Sequence, residues 1–490
     1  MTPVILAFLE QARRTPDAVA ASDDMGATET YASLARRGCA LAAGLQSRLG
    51  TDTRRIVAIA AKNHVEHLVA LIGVFLSGHT WLPLNPRSAR PLNDGVRERL
   101  NPALLICDTA CADCVTTDAS TLWFEAGSPD GLNALSSGAD TWRQPALAPD
   151  HVMSVKLTGG TTGTPKAVAQ TQEMIATVVG DLVSVFDLGP ADTNLAVAPL
   201  SHGAFHLLFP LLTTGGRQVI LSTADTNAVL DTMAREAVSI AFMPPTLINK
   251  LVASGEARPD RFPALRQLIY SAAPMPPAQI EAAQAAFGPR IAALYGQVEA
   301  PMAITAMTAA DMQPGIRLQS TGRPCPSTQV RIKDPGPDGT GAIQARGPLV
   351  ATRYLTGEPF PLDEGWLDTG DRGFLDDEGF LHIRGRSREM IITGGFNIYP
   401  VEIERVLAGL AGVQEVCVFG VADDYWGERI EAAIVADPHV NDTALGDAVR
   451  AAIGAVAVPK AWHRTDALPR NAVGKVVRRE VAERFSAAAA

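Results

Sequence analysis

Between Thr158 and Lys166 the chain reads Thr-Gly-Gly-Thr-Thr-Gly-Thr-Pro-Lys, nine residues of which seven are Gly or Thr. Gly159, Gly160 and Gly163 carry no Cβ, so successive backbone N–H groups can close around an anion. Thr158, Thr161, Thr162 and Thr164 add hydroxyl donors, and Lys166 adds a point charge. Donors in this number suit a triphosphate. A Walker-type loop sets its Lys directly after the last Gly and before Ser or Thr. Here Thr164 and Pro165 intervene and Ala167 follows, so that class does not fit. The bland alternative is a Gly/Thr surface turn, but a bare turn has no use for four hydroxyls and a closing Lys.

Such a loop must be held by regular elements on both sides. Residues 152–157 form a short β-branched-rich run of strand type. After Thr171, Ile175, Val178, Val179, Leu182 and Val185 recur at helical spacing. The expected order is strand, polar loop, helix. From Arg55 onward, strand-like and helix-like runs alternate (IVAIAA, HLVALIGVFLSG, TWLPL, ALLIC, and later LAVAPL, RQVILS, SIAFM, LRQLIYS, IAALY). That alternation implies an α/β fold with largely parallel sheets covered on both faces. The Gly/Ser/Pro-rich stretch between Cys114 and Pro149 reads as a surface excursion. Across residues 322–385 the character changes to short strands and turns, with hairpin signals at Asp338-Gly339, Glu364-Gly365 and Glu378-Gly379. Residues 388–490 form a further small α/β unit within the usual domain range.

A chain of 490 residues holds more than one core, and 47% hydrophobic with 19% charged residues is a globular composition. A net charge of −10 argues against nucleic-acid or anionic-membrane partners. Glu10, Arg13 and Arg14 interrupt any apolar signal core, and no run reaches membrane-spanning length. A cytoplasmic enzyme is the expectation. Cys107, Cys111 and Cys114 have the C-x3-C-x2-C spacing of an iron–sulfur site. Without a glycine-rich cofactor loop behind them, small buried thiols are the favoured reading.

The segment LTGGTTGTPKAV resembles the phosphate-binding loop of the ANL superfamily of adenylating enzymes, and five later segments match that family in order. The resemblance falls on its acyl/aryl-CoA synthetase branch, similar to benzoate-type CoA ligases. It implies a large N-terminal domain, residues 1–387, of layered α/β sheets with a small β-barrel-like subdomain at 322–385. A mobile α+β C-terminal domain, 388–490, would follow. Tyr295-Gly296-Gln297-Val298-Glu299 resembles the family's Tyr-Gly-x-Thr-Glu. Tyr295 would offer its face to adenine, and Glu299, with Thr162, would hold magnesium. Val298 departs from the pattern, because the hydroxyl that would reach the α-phosphate is missing. Ser271, Ala272, Ala273 and Pro274 fit a shelf beside the adenine. Asp371, in WLDTGD, would accept from both ribose hydroxyls, and Arg386 would reach ribose and phosphate. Arg388 falls at the hinge position.

The resemblance also implies that Gly394 and Gly395 let backbone approach the narrow arm of coenzyme A. Arg87 matches a position able to contact CoA phosphate, and Lys475 matches the catalytic lysine. His202, after the strand-like run LAVAPL, matches a histidine lining the carboxylate pocket. Ser201, Gly203, Ala204, His206 and Met302 would complete that pocket, with Gly203, Ala204 and Phe205 forming a flat slot. No Arg or Lys stands in these segments, and no Asp stands where an amino group would be held. The implied substrate is therefore a monocarboxylic acid, aryl or medium aliphatic, activated by ATP and passed to the thiol of CoA. Val456, Ala457 and Val458 replace the aromatic and basic residues usual near the CoA nucleotide. Loading of a carrier protein's pantetheine is the main rival, and a non-catalytic nucleotide-binding homologue is the other. A homodimer is compatible with either enzyme.

Overall fold

The structure of the protein, a computed structural model, describes residues 3–51, 55–124, 131–132, 135, 141–157, 166–393, 396–423, 425–471 and 475–486. Two large sheets dominate it. The first runs Arg323–Pro324, Ala300–Met307, Ile291–Gln297, Gln267–Tyr270, Ile240–Met243, Thr193–Ala196, Arg217–Ile220, Val19–Asp23, Thr28–Thr30. Its six strands from Ile291–Gln297 to Val19–Asp23 are parallel, and the edges are antiparallel. The second runs Leu122–Trp123, Leu104–Cys107, Ile56–Ala60, Thr80–Leu84, Val152–Leu157, Ala167–Thr171. Strands such as Ile240–Met243 and Leu104–Cys107 are buried at every residue. That is why they read as unbroken apolar runs without alternation.

Val152–Leu157 does not lead straight through a loop into a helix. Ala167–Thr171 first returns as an antiparallel strand beside it. Thr171 then caps the helix Gln172–Phe186, its side chain accepting from the Met174 backbone N–H. The added strand is short and built on two small alanines, so it left no alternation to read. The stretch after Cys114 is likewise only partly an excursion. Leu122–Trp123 pairs as an edge strand, Leu132 is buried, and Trp142 Nε1 donates to the Leu76 carbonyl at 2.8 Å. Cys107, Cys111 and Cys114 are buried in one apolar cluster with Ala58, Leu82 and Val155. Burial pushes the Cys107 thiol up to about 12.

Residues 329–386 form a four-stranded antiparallel sheet, Gln329–Lys333, Gly341–Arg346, Leu367–Leu375, Leu381–Arg386. Among the described strands its two outer members do not pair, so it is an open ladder and not a closed barrel. Gly379, at φ +80°, closes the hairpin that joins its last two strands. The smaller C-terminal unit is a five-stranded sheet carrying the helices Pro400–Ala408, Asp442–Ala452 and Arg478–Ser486. Val456, Ala457 and Val458 pack into its core, which accounts for their apolar character. This unit docks on the rest through Arg384 Nη1 to Glu402 Oε1 at 2.9 Å and Arg405 Nη1 to Gln319 Oε1 at 3.1 Å. Among the described residues no helix is long and apolar enough to cross a membrane.

Candidate active site

Antiparallel pairing sets Asp371 opposite Arg386, one on each of the last two strands of the small ladder. Tyr295, near the end of the strand Ile291–Gln297 of the large sheet, donates its hydroxyl to Asp371 Oδ2 at 2.5 Å. Arg386 Nε lies 3.2 Å from Asp371 Oδ1. Burial raises the Asp371 carboxyl, opposed by Arg386, the Tyr295 hydrogen bond and Lys475. Burial, with Asp371 beside it, also holds the Tyr295 hydroxyl well above its ordinary range, so it stays a donor. Three residues from three sequence segments thus meet at one point.

The backbone around them is tight. A Cβ on Gly296 would stand 2.3 Å from the Met302 nitrogen, so only glycine fits there. Gln297 pairs with Ala300 across the same turn. Ala272 and Met302 are left-handed, at φ +73° and +57°. Each such non-glycine residue costs about 1–2 kcal/mol, and strain of this kind gathers where a site fixes its walls. Ala272 and Pro274 are exposed, with Ala273 half-buried between them.

Glu299 follows on the same turn. Burial raises its carboxyl, against the fields of Arg386 and Arg388. Among the described residues no cation stands within ion-pair distance of it. A half-buried carboxylate without a close counter-ion fits a hard divalent cation that also rides on phosphate. The described residues hold no cluster of three metal-ligating side chains, and a phosphate-bound cation needs few protein ligands.

Lys475 comes from the smaller unit. Its N–H donates to Asn471 Oδ1 at 2.9 Å, fixing the turn. The side chain keeps solvent access by surface area, yet protein crowds the ammonium. Desolvation and then Arg386 lower its pKa, while Glu389 and Asp371 oppose them. The charges of Lys475, Asp371 and Arg386 are therefore within reach of one another. Arg478, which opens the last helix, pairs with Glu404 and reaches Glu389 at 3.3 Å, tying the Lys475 segment to the unit's sheet. Arg388 sits in a short turn of helix, Ser387–Glu389, between the ladder and the smaller sheet. Lys166 lies over the Tyr354 ring at 4.5 Å. The predicted Thr158, Gly159, Gly160, Thr161, Thr162, Gly163, Gly394 and Gly395 lie outside the described residues.

The segment expected to line an acid pocket is only partly open. His202 and Gly203 are half-exposed, but Ala204, Phe205 and His206 turn inward on the helix turn Gly203–Leu207. Phe205 packs against Trp81 at 4.9 Å between ring centres, and His206 lies edge-on to it at 5.0 Å. The ring that packs on this turn is that of Phe242, which would stand 2.9 Å from a Cβ on Gly203, with Met302 Sδ at 3.9 Å. Ser201 Oγ bonds His202 Nδ1 at 2.9 Å. Burial, then Lys156, then Arg87 push His202 down to about 4, so the ring is neutral at physiological pH. Arg87 is exposed, its charge felt at His202.

The pocket segments carry no Arg or Lys themselves, but Lys156 brings a cation to them from the neighbouring sheet. Its Nζ donates to the Ser201 carbonyl at 2.8 Å and stands 4.1 Å from the Trp81 ring centre. Sequence reading missed it because a lysine near the end of a strand reads as a side chain reaching for solvent.

Comparison with known proteins places the chain in a family. The family described as AMP-binding enzyme matches residues 8–355, and its C-terminal domain matches residues 402–475. A medium/long-chain-fatty-acid–CoA ligase, FadD8 of Mycobacterium tuberculosis, is 33% identical over 69% of this chain and 62% of its own length. A feruloyl-CoA synthase of Amycolatopsis is 31% identical over 97% of this chain and 98% of its own. The solved o-succinylbenzoate CoA synthetase of Bacillus subtilis, in complex with its acyl-adenylate intermediate, superposes with a TM-score of 0.85. It shares 25% identity over 97% of both chains. The chain belongs to the AMP-binding enzyme family, within the ANL superfamily of adenylating enzymes that includes the acyl- and aryl-CoA ligases.

Proposed function

We propose that this protein activates a monocarboxylic acid, aryl or medium aliphatic, with ATP and transfers the acyl group to the thiol of coenzyme A. The observation that carries this reading is the meeting of Tyr295, Asp371 and Arg386 with the charge of Lys475 felt among them. In the first step a carboxylate oxygen attacks the α-phosphorus of ATP, the bond to the bridging oxygen breaks, and pyrophosphate leaves. Both reactants are anionic, so the barrier is largely charge repulsion. Lys475 and Lys166 neutralise charge where it builds, and no protein nucleophile is needed. Asp371 receives ribose hydroxyls, and Ala272, Ala273, Pro274 and Tyr295 flank the base. Magnesium bound with ATP supplies further charge neutralisation, and Glu299, with Thr162, would hold it. In the second step the CoA thiol attacks the acyl carbon, loses its proton and releases AMP. Residues 388–490 turn about Arg388 between the steps, withdrawing Lys475 and presenting Gly394 and Gly395. Arg87 then meets a CoA phosphate.

ATP and CoA are both cytoplasmic metabolites, which makes the cytoplasm the place of action in this reading. The assembly is open to a sizing measurement. The decisive experiment is turnover across benzoates, cinnamates, straight-chain acids, dicarboxylates and amino acids, read as pyrophosphate release with and without CoA. Thioester formation from aryl or medium aliphatic acids is expected. A clear preference for an amino acid, or acyl transfer only to a pantetheinylated carrier, would overturn it.

Val298 is the family position without its hydroxyl. The structure sets it against an apolar cluster of Val168, Met174, Ala351 and Tyr354. Val298→Thr therefore buries a hydroxyl among methyl groups, at about 1–3 kcal/mol. A lower thermal midpoint without any gain in KM for ATP is expected. Tighter ATP binding at unchanged stability would show that the hydroxyl still reaches phosphate.

A further inference from the structure

Lys156 is deeply set, titratable and unused by the chemistry above. Its Nζ lies 4.1 Å from the Trp81 ring centre and 5.6 Å from that of Phe205, and donates to the Ser201 carbonyl at 2.8 Å. Among the described residues no carboxylate stands within ion-pair distance. The side chain is nevertheless only half-buried by surface area, so part of it faces open space and not packed protein. An ammonium carries three donors, and the Ser201 carbonyl takes one. With aromatic faces on one side and the Ser201 carbonyl on another, the other two donors meet no acceptor among the described residues.

Its reach says which end of the pocket it serves. The Lys156 charge is felt at His67, His202 and His206. At Glu299, on the nucleotide side, the fields that count are those of Arg386 and Arg388. Lys156 thus belongs to the His202 side, through the carbonyl of Ser201, the residue before His202, to which its amine donates. Burial lowers the amine to about 7, so a partner oxygen recovers what desolvation costs whether the group is charged or neutral.

Resting on the ligase reading above, we propose that Lys156 determines specificity by hydrogen-bonding an acceptor oxygen, phenolic or keto, on the far part of a monocarboxylic acid. Such an acid fills the space walled by His202, Gly203, Phe242 and Met302 and ends its polar group on the Lys156 amine. An analogue lacking that oxygen leaves the donor unpaired, which a site built for hydrogen bonding rejects.

The test compares matched acids on the full chain: cinnamate with its ring-hydroxylated forms, and phenylpropanoate with its keto analogue. The readout is the ratio of kcat/KM for pyrophosphate release, oxygenated over plain, in wild type, K156M and K156Q. A ratio of about ten or more is expected for at least one pair in wild type. It should fall toward one in K156M and be partly kept in K156Q, which retains a donor. Because it is a ratio within each variant, a partly misfolded preparation does not disturb it. Equal loss on both members of every pair, a wild-type ratio of one throughout, or a defect confined to the CoA step would each overturn the proposal. Wild-type turnover of no acid at all would instead defeat the ligase reading, a distinct outcome.

Discussion

Replacing Lys475 by alanine is expected to cut acyl-adenylate formation on the order of a hundredfold or more. Thioester formation from pre-made adenylate and CoA should suffer far less. The reason lies in where the cation stands. Its charge is felt at Asp371, which Tyr295 and Arg386 hold in the proposed nucleotide site. A preorganised ammonium there stabilises the attacking carboxylate and phosphate in the transition state and costs no reorganisation. In the proposed mechanism the second step begins after this segment has withdrawn, so supplying the adenylate should bypass most of the defect. Equal loss in both half-reactions, with wild-type thermal stability, would contradict this division of labour. A pH profile checks it independently. Burial and Arg386 lower the Lys475 pKa, so its charge is lost at a lower pH than a free lysine's. Adenylation should therefore decline on the alkaline side before the ordinary lysine range, and K475A should lack that limb. His202, already neutral near pH 7, should contribute no limb around pH 6–7.

Asp371→Asn is expected to lower kcat/KM for ATP by roughly ten- to a hundredfold. The carboxylate accepts from two sides, the Tyr295 hydroxyl at 2.5 Å and Arg386 Nε at 3.2 Å, and still has lone pairs for a ribose. An amide of the same shape must turn an NH2 toward one of these donors. It also leaves the half-buried Arg386 without its carboxylate partner, a larger penalty than the loss of one neutral hydrogen bond. The effect should fall mainly on KM for ATP, with KM for the acid nearly unchanged. A variant that binds ATP normally by calorimetry would show that Asp371 serves the ladder and not the nucleotide.

These two residues also show what a sequence reveals and what it hides. Lys475, Asp371 and Arg386 were each legible, because each sits in a short segment whose residue types match a known pattern in the right order. Their mutual contact was not. It depends on the register that sets Asp371 opposite Arg386, and on Tyr295 arriving from another sheet. The alternating α/β order was legible because buried parallel strands are apolar throughout. Ala167–Thr171 escaped because five residues with two alanines favour neither period. The acid pocket was the least legible part. Its local segment proposed Phe205 as a wall, but a helix turn points that ring into the core. The side chains that meet Gly203 and Ser201, Phe242 and Lys156, come from strands distant in sequence. Packing between sheets decides such neighbours, and no local pattern records it.

The central claim is that the acid's own oxygen attacks the α-phosphorus of ATP. The most direct test uses the fastest acid of the panel, labelled with heavy oxygen in its carboxylate, with ATP and CoA. Mass spectrometry of the products should find one labelled oxygen in AMP and none in pyrophosphate. Label in inorganic phosphate, with ADP as the nucleotide product, would contradict the account.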